Sequence, residues 1–95
     1  MNRNAEEPII EVWVTKYALT AGIQHYAQAR VCARINDQMI DCGRHRLFHG
    51  EGKDWHRSEA AALEHADKMR IAKLASLKRQ MAKIERMTFK ITEGT

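Results

Sequence analysis

The fold is decided by the stretch from Ser58 to Met87, which reads SEAAALEHADKMRIAKLASLKRQMAKIERM. It contains neither glycine nor proline and is rich in Ala, Leu, Lys, Arg and Met, which have high helix propensities. Ser58 is a favourable N-cap, and Glu59 lies in the first turn, where the helix dipole favours an acidic side chain. We therefore predict one helix over residues 58–88, of which the roughly 29 residues that end at Met87 span about 43 Å at about 1.5 Å per residue.

An apolar stripe follows one face of this predicted helix. At about 100° per residue, it comprises Leu63, Ala66, Leu74, Leu77, Met81 and Ile84. The spacing of the last four is that of a two-heptad seam. Two interpretations of these four residues stay open: they bind a second copy of the chain as a homodimer, or the strand that contains Trp13 extends along the helix and buries them. We expect a sheet to cover only the first half of the stripe, since a short strand spans about 20 Å.

The charge of the chain is concentrated on the opposite face of the same helix. The 95 residues carry a net charge of +4, but residues 1–67 carry −2 and residues 68–90 carry +7. We define the cation row as Lys68, Arg79, Lys83, Arg86 and Lys90. Glu85 is the only acidic residue between 68 and 90 that could pair with these cations along the helix. The row is either a binding site for an anionic partner, including DNA or RNA, or a solvated face that keeps the helix soluble.

The first half of the chain predicts an antiparallel sheet over residues 9–48. Ile9 to Leu19 is rich in β-branched and aromatic residues, which favour a strand. Residues 24–35 alternate between apolar and polar side chains, which predicts a second strand. Its buried face comprises Ala27, Ala29, Val31, Ala33 and Ile35. This pattern predicts an α+β fold: a three-stranded antiparallel β-meander packed on one long C-terminal amphipathic α-helix.

A two-residue turn at residues 36–37 sets the expected register of the second and third strands. It pairs Val31 with Cys42 and directs Met39 outward. Cys32 and Cys42 then lie on opposite faces, so we expect no disulfide between them. The chain is short enough for one domain only, with a flexible tail at 1–8, a loop at 49–57 and a second tail at 89–95.

Residues 44–57 gather three histidines, three arginines, one lysine and two aromatic residues. Loops this rich in functional groups are often binding surfaces. The predicted binding residues here are Arg44, Arg46, Lys53, Trp55 and His56. Phe48 is expected to pack on the core, whereas for Trp55 packing on the core and stacking on a partner are both open.

The same segment lacks a recognisable catalytic or metal-binding motif. Cys42, His45, His49 and His56 have a spacing that matches no common zinc finger. Residues 50–53 are not a P-loop, and His56 has no evident nucleophile or second carboxylate placed with it. We therefore predict no catalytic residues, no metal and no cofactor, and a protein that is not an enzyme.

Three stretches resemble small, functionally unassigned proteins of phages and other mobile elements. They are WVTKYALTAGI (residues 13–23), FHGEGKDWH (48–56) and KLASLKRQ (73–80). The resemblance implies an accessory protein in the cytoplasm of a bacterial host, a setting that agrees with the absence of a secretory signal or a membrane span in the sequence. It also implies binding to a host machine, including CRISPR and restriction complexes, and it transfers no functional residue.

Two functional hypotheses follow. The first is a non-enzymatic accessory protein that binds and modulates a host protein or nucleoprotein complex, as an anti-CRISPR inhibitor does. The alternative is a sequence-tolerant nucleic-acid-binding protein that uses the cation row. Neither requires a membrane.

Overall fold

The structure is a computed structural model that describes residues 7–94 and contains five strands and one helix. These are β1 (Ile9–Val14), β2 (Gln24–Val31), β3 (Met39–Asp41), β4 (Leu47–His49), β5 (Trp55–His56) and α1 (Glu59–Glu85). The strands form one sheet in the order β4-β3-β2-β1-β5, and every neighbouring pair is antiparallel. The predicted α+β architecture is confirmed, but the three-stranded meander is wrong. The additional strands β4 and β5 are too short to show an alternating pattern in the sequence.

The sheet curls until its two edges approach each other. β4 and β5 lie at opposite edges, yet only residues 50–54 connect them. The carbonyl oxygen of Gln38 accepts hydrogen bonds from the Gly50 amide at 2.9 Å and from the Trp55 indole at 2.8 Å. The Thr15 amide donates to the Asp54 carbonyl at 2.9 Å. The indole of Trp55 is thereby enclosed in the core, which also contains Val12, Val14, Ala29, Val31, Ile40 and Phe48.

The turn between β2 and β3 is longer than predicted, and the predicted register is wrong by two residues. Val31 pairs with Ile40 rather than with Cys42. The carbonyl oxygen of Cys32 accepts hydrogen bonds from the amides of Ile35 and Asn36, so the chain turns before β2 reaches Ile35. Ala33 and Ile35 are consequently exposed, whereas Met39, which was expected to face outward, is buried. Both cysteines are free thiols, with Cys32 buried and Cys42 half-buried.

A bulge changes the predicted buried face of β2. Ile10 pairs with Ala29, but Val12 pairs with Tyr26, so β2 carries one extra residue between these two pairs. An extra residue reverses the in-and-out alternation of a strand. Ala27 is therefore exposed, contrary to the prediction, and Tyr26 packs against the core in its place.

The segment before β1 is attached to the sheet where the structure describes it. Residues 1–6 of the predicted flexible tail lie outside the described residues. Glu7 is buried and accepts a hydrogen bond from Arg30 at 2.6 Å, and the Pro8 carbonyl accepts one from the Val31 amide at 2.9 Å. For Glu7 and Pro8 the prediction of a flexible tail is therefore wrong. Residues 89–94 of the second predicted tail form neither helix nor strand, and Thr95 lies outside the described residues.

Helix α1 starts on the sheet and then projects away from it. The Ser58 hydroxyl caps it by accepting a hydrogen bond from the Ala61 amide at 3.1 Å. The helix ends at Glu85, with Arg86 as its C-cap, three residues before the predicted end. Ala62 is the only buried residue of the helix, and the helix contacts β1 and β5. The radius of gyration is 20.1 Å, against about 12 Å for a compact chain of this length. The difference comes from the projecting helix, which is about 40 Å long.

Candidate interaction surface

The sheet leaves the apolar stripe uncovered. Helix α1 meets the sheet at Ala62 and His65, about a third of a turn around the helix from Leu63. Leu63 is 55% exposed, so the expectation that the sheet covers the first half of the stripe is wrong. The last four residues of the stripe, Leu74, Leu77, Met81 and Ile84, are 45–65% exposed. Since β1 ends at Val14, it does not extend along the helix and does not bury them.

The cation row is exposed, and its second half has no acidic partner. Lys68 forms an ion pair with Glu64 at 3.5 Å. Within residues 7–94, the other four members of the row form no ion pair. Because the helix ends at Glu85, Lys90 lies beyond it rather than on its face, which corrects the prediction for that residue. The members of the row that lie on the helix or at its end and form no ion pair are therefore Arg79 and Lys83 on the helix and Arg86 at its C-cap.

Two of the predicted binding residues are part of the core. Trp55 is 0% exposed and His56 is 4% exposed, so neither ring is presented to a partner. Phe48 is buried as expected. Arg57 lies over the outer face of the Trp55 ring at 5.6 Å and forms an ion pair with Glu51 at 2.8 Å. Of the two interpretations of Trp55, packing on the core and stacking on a partner, its burial supports packing on the core.

The side chain of His56 contacts the end of β1 on one side and α1 on the other. Its Nε2 lies 2.9 Å from the Thr15 hydroxyl at the end of β1, and its ring lies 4.9 Å from that of His65 on α1. The Thr15 hydroxyl donates its proton to the Lys53 carbonyl at 3.0 Å, so it accepts a hydrogen bond from His56 and is not an activated nucleophile. Burial lowers the pKa of His56, and the neighbouring His65 lowers it further. The contact fastens the start of α1 to the sheet.

The turn between β3 and β4, residues Gly43–Arg46, holds two residues in the left-handed region. Arg44 has φ of 51° and His45 has φ of 63°, and the Arg46 amide donates to the Gly43 carbonyl at 2.9 Å. Two positive φ values in this position are those of a type I′ turn, which usually contains Asn and Gly. For other residues the left-handed region costs about 1–2 kcal/mol each. Arg44, His45 and Arg46 are exposed, so this strained turn displays three basic side chains.

The side chain of Asp41 stabilises this turn through hydrogen bonds. One of its carboxylate oxygens accepts a hydrogen bond from the Gly43 amide at 2.8 Å, and the other accepts one from Arg30 at 2.9 Å. These two donors lower the pKa of Asp41. The spacing Asp41-x-Gly43 is a signal in the sequence that could have marked this turn, which was not predicted.

Two grooves lie on either side of the loop between β1 and β2. The turn groove, about 390 Å³, is lined by Tyr17, Tyr26, His45, Arg46, Leu47 and Phe48, among others. The helix groove, about 360 Å³, is lined by Ala18, Leu19, Ile23, Leu63, Ala66 and Arg70, among others. The β1–β2 loop therefore lies between the turn at residues 43–46 and helix α1, and it lines a groove on each side. This loop was not predicted as part of a binding surface, although Leu19 and Ile23 on either side of Gly22 are an unusual pair of apolar residues in a turn.

The remaining predicted residues do not form a metal site. Across the described range 7–94, no three His, Cys, Asp or Glu side chains are grouped so that they could hold a metal ion. Cys42, His45, His49 and His56 are accordingly not brought together. Lys53 is exposed in the turn that follows β4. The single helix is too polar along its length to cross a membrane.

Comparisons with known proteins give no further assignment. No protein-family model, no curated protein and no solved structure matches this chain.

Proposed function

We propose that this protein is a non-enzymatic interaction protein that binds an anionic surface of a host protein or nucleoprotein complex. The observation that carries the proposal is the set of exposed cations at the free end of α1, Arg79, Lys83 and Arg86, which have no ion-pair partner within residues 7–94. Cations without an intramolecular partner raise the local potential and attract an anionic ligand. The strained turn at Gly43–Arg46 adds a second basic feature, and strain of this kind tends to persist at functional positions.

Apolar side chains next to these cations favour a protein surface as the partner. Ile71 is 58% exposed and lies between the apolar stripe and the cation row around the helix. Tyr17 and Tyr26 line the turn groove beside Arg46. Tyrosine and arginine are enriched in protein interfaces, where exposed aliphatic groups also gain from burial. The resemblance to phage and mobile-element proteins supplies the setting, a bacterial cytoplasm, and makes inhibition of a CRISPR or restriction complex the specific form to test first.

Affinity capture from a bacterial lysate tests this proposal, with and without nuclease treatment. We compare the Arg79→Gln/Lys83→Gln variant with the Lys16→Gln/Arg34→Gln variant, which removes the same charge from exposed positions off the helix. A protein partner that survives nuclease treatment, and that the first variant loses while the second retains it, is the expected result. Capture of no specific partner, or equal loss in both variants, contradicts the proposal.

A second candidate function is direct, sequence-tolerant binding of nucleic acid. Arg79, Lys83 and Arg86 follow one another at spacings of four and three residues. This places one cation about every 5.4 Å along the helix, suited to consecutive backbone phosphates. In a mobility-shift titration, the double-logarithmic plot of affinity against salt is expected to lose a slope of about 2 in the Arg79→Gln/Lys83→Gln variant, roughly one per lost phosphate contact. No shift at about 50 mM salt rules this function out.

A further inference from the structure

The helix groove and the apolar stripe adjoin each other along α1, and Arg70, which forms an ion pair with Asp67, is a charged side chain between Ala66 and Leu74. Leu63 and Ala66 belong to both, since they line the groove and begin the stripe. Beyond them the stripe continues along the free part of α1 to Ile84. The apolar side chains of the stripe beyond the groove are 45–65% exposed. An apolar surface of this extent is typical of an interface.

A second exposed apolar feature lies beyond the end of the helix. Phe89 is 85% exposed and Ile91 is 93% exposed, the highest values among the large apolar side chains of residues 7–94. We call residues 88–91 the C-terminal arm. Neither the sheet nor the helix of the same chain covers it.

The arm cannot enter the helix groove of its own chain. Ala66 in the groove is separated from Met87 by about 32 Å of helix at about 1.5 Å per residue. An extended chain advances at most about 3.6 Å per residue, so Ile91 can lie no more than about 14 Å from Met87. A C-terminal arm that occupies this groove must therefore belong to another molecule.

A second copy of the chain can place its C-terminal arm at the helix groove of the first copy if the two helices run antiparallel. In that arrangement the arm of each copy lies beside the groove of the other when the two-fold axis is halfway between Ala66 and Phe89. This midpoint falls at residues 77–78, next to Leu77 and inside the exposed part of the stripe. The stripes then cover each other while both arms reach a groove.

Charge also favours the antiparallel orientation. Residues 59–67 carry a net charge of −3, whereas residues 68–90 carry +7. Parallel helices would place the two strongly basic segments side by side along their whole length. Antiparallel helices place the basic end of each copy beside the acidic start of the other, which reduces the repulsion.

We propose that this protein forms an antiparallel homodimer through α1, in which the C-terminal arm of each copy occupies the helix groove of the other. The cation row lies on the opposite face of the helix and stays accessible. The dimer therefore does not depend on the proposed function, and its test requires no host partner.

Sedimentation velocity from about 1 to about 200 µM tests the association, because dimer formation depends on concentration. The expected mass is twice the 11.0 kDa of the chain. Leu77→Lys should raise the dissociation constant by more than about tenfold, as for a central interface residue. Ala72→Lys makes the same change in charge on the other face of the helix and should leave it unchanged. Phe89→Ala should weaken the dimer, and circular dichroism verifies that each variant is folded.

Cross-linking of mixed chains tests the orientation. Asp67→Cys and Thr88→Cys place thiols beside the stripe without removing an apolar side chain, and an antiparallel dimer centred at residues 77–78 brings them together. A disulfide between the two different variants, distinguished by isotopic mass, is expected in excess over that of either variant alone. Disulfides within each variant alone, a monomer at all concentrations, or equal effects of Leu77→Lys and Ala72→Lys would overturn the proposal.

Discussion

Replacement of Trp55 by alanine tests the curled sheet directly. The side chain is 0% exposed, and its indole donates a hydrogen bond to the Gln38 carbonyl at 2.8 Å. Deletion of a buried tryptophan costs about 3–5 kcal/mol of stability. A folded region of this size is stable by about 4–13 kcal/mol in total, so Trp55→Ala removes a large share of it. Trp55→Phe keeps an aromatic ring but loses the hydrogen bond, which adds about 1 kcal/mol to any loss of packing.

Urea denaturation followed by far-ultraviolet circular dichroism measures both losses, since tryptophan fluorescence itself changes when Trp55 is removed. Trp13 provides the matched control because it is only half-buried and stacks on His25 at a centroid distance of 4.9 Å. We expect the order Trp55→Ala, then Trp13→Ala, then wild type in increasing stability. A loss of less than about 1 kcal/mol for Trp55→Ala, the size of an average substitution, would refute core packing and return Trp55 to the binding surface.

Three further predictions concern His56, Ala62 and Cys42. Burial lowers the pKa of His56, so below about pH 6.5 the unfolded chain binds a proton that the folded protein excludes, and stability should fall as the pH decreases, by at most about 1.4 kcal/mol per pH unit. His56→Gln should reduce the dependence of stability on pH, and His49→Gln, at an exposed position, should not. Urea titrations at several pH values measure this dependence, and equal pH dependence in the two variants would contradict the assignment to His56. Ala62→Leu should cost about 1–3 kcal/mol because Ala62 is buried between α1 and the sheet, whereas Ala72→Leu should change stability by about 0.5 kcal/mol or less, and equal urea midpoints would show that the helix is not packed there. Burial raises the pKa of Cys42 to about 11, so alkylation by iodoacetamide at pH 8, located by mass spectrometry, should be about 100-fold slower in the folded protein than in urea; similar rates would be inconsistent with this environment.

The parts of the fold that local sequence could predict are those in which a residue's neighbours in the chain decide its conformation. Helix α1 and its Ser58 cap follow from propensity and capping, which act within one or two turns. Val12 and Val14 lie on the same side of β1 and are buried as their two-residue period indicates, whereas Trp13 between them is only half-buried. For the candidate interaction surface, the cations of the helix were found by the same reasoning, because exposure on a helix follows from the 3.6-residue period.

The features that local sequence could not predict depend on pairing between distant residues. Strand β5 has two residues, and it is a strand only because they pair with Trp13 and Val14, some 40 positions earlier. The bulge opposite Glu11 reverses the faces of β2, and neither residue type nor period marks it.

Sequence alone therefore determined which segments are helical, which side chains are apolar and where the positive charge lies. Tertiary structure decided which of the apolar side chains are buried in the core and which stay exposed. The curled sheet encloses Trp55, and β5 directs α1 away from the sheet so that Leu77 stays exposed. The physical reason is that burial requires two surfaces to meet, and whether they meet depends on long-range strand pairing rather than on the pattern of either surface alone.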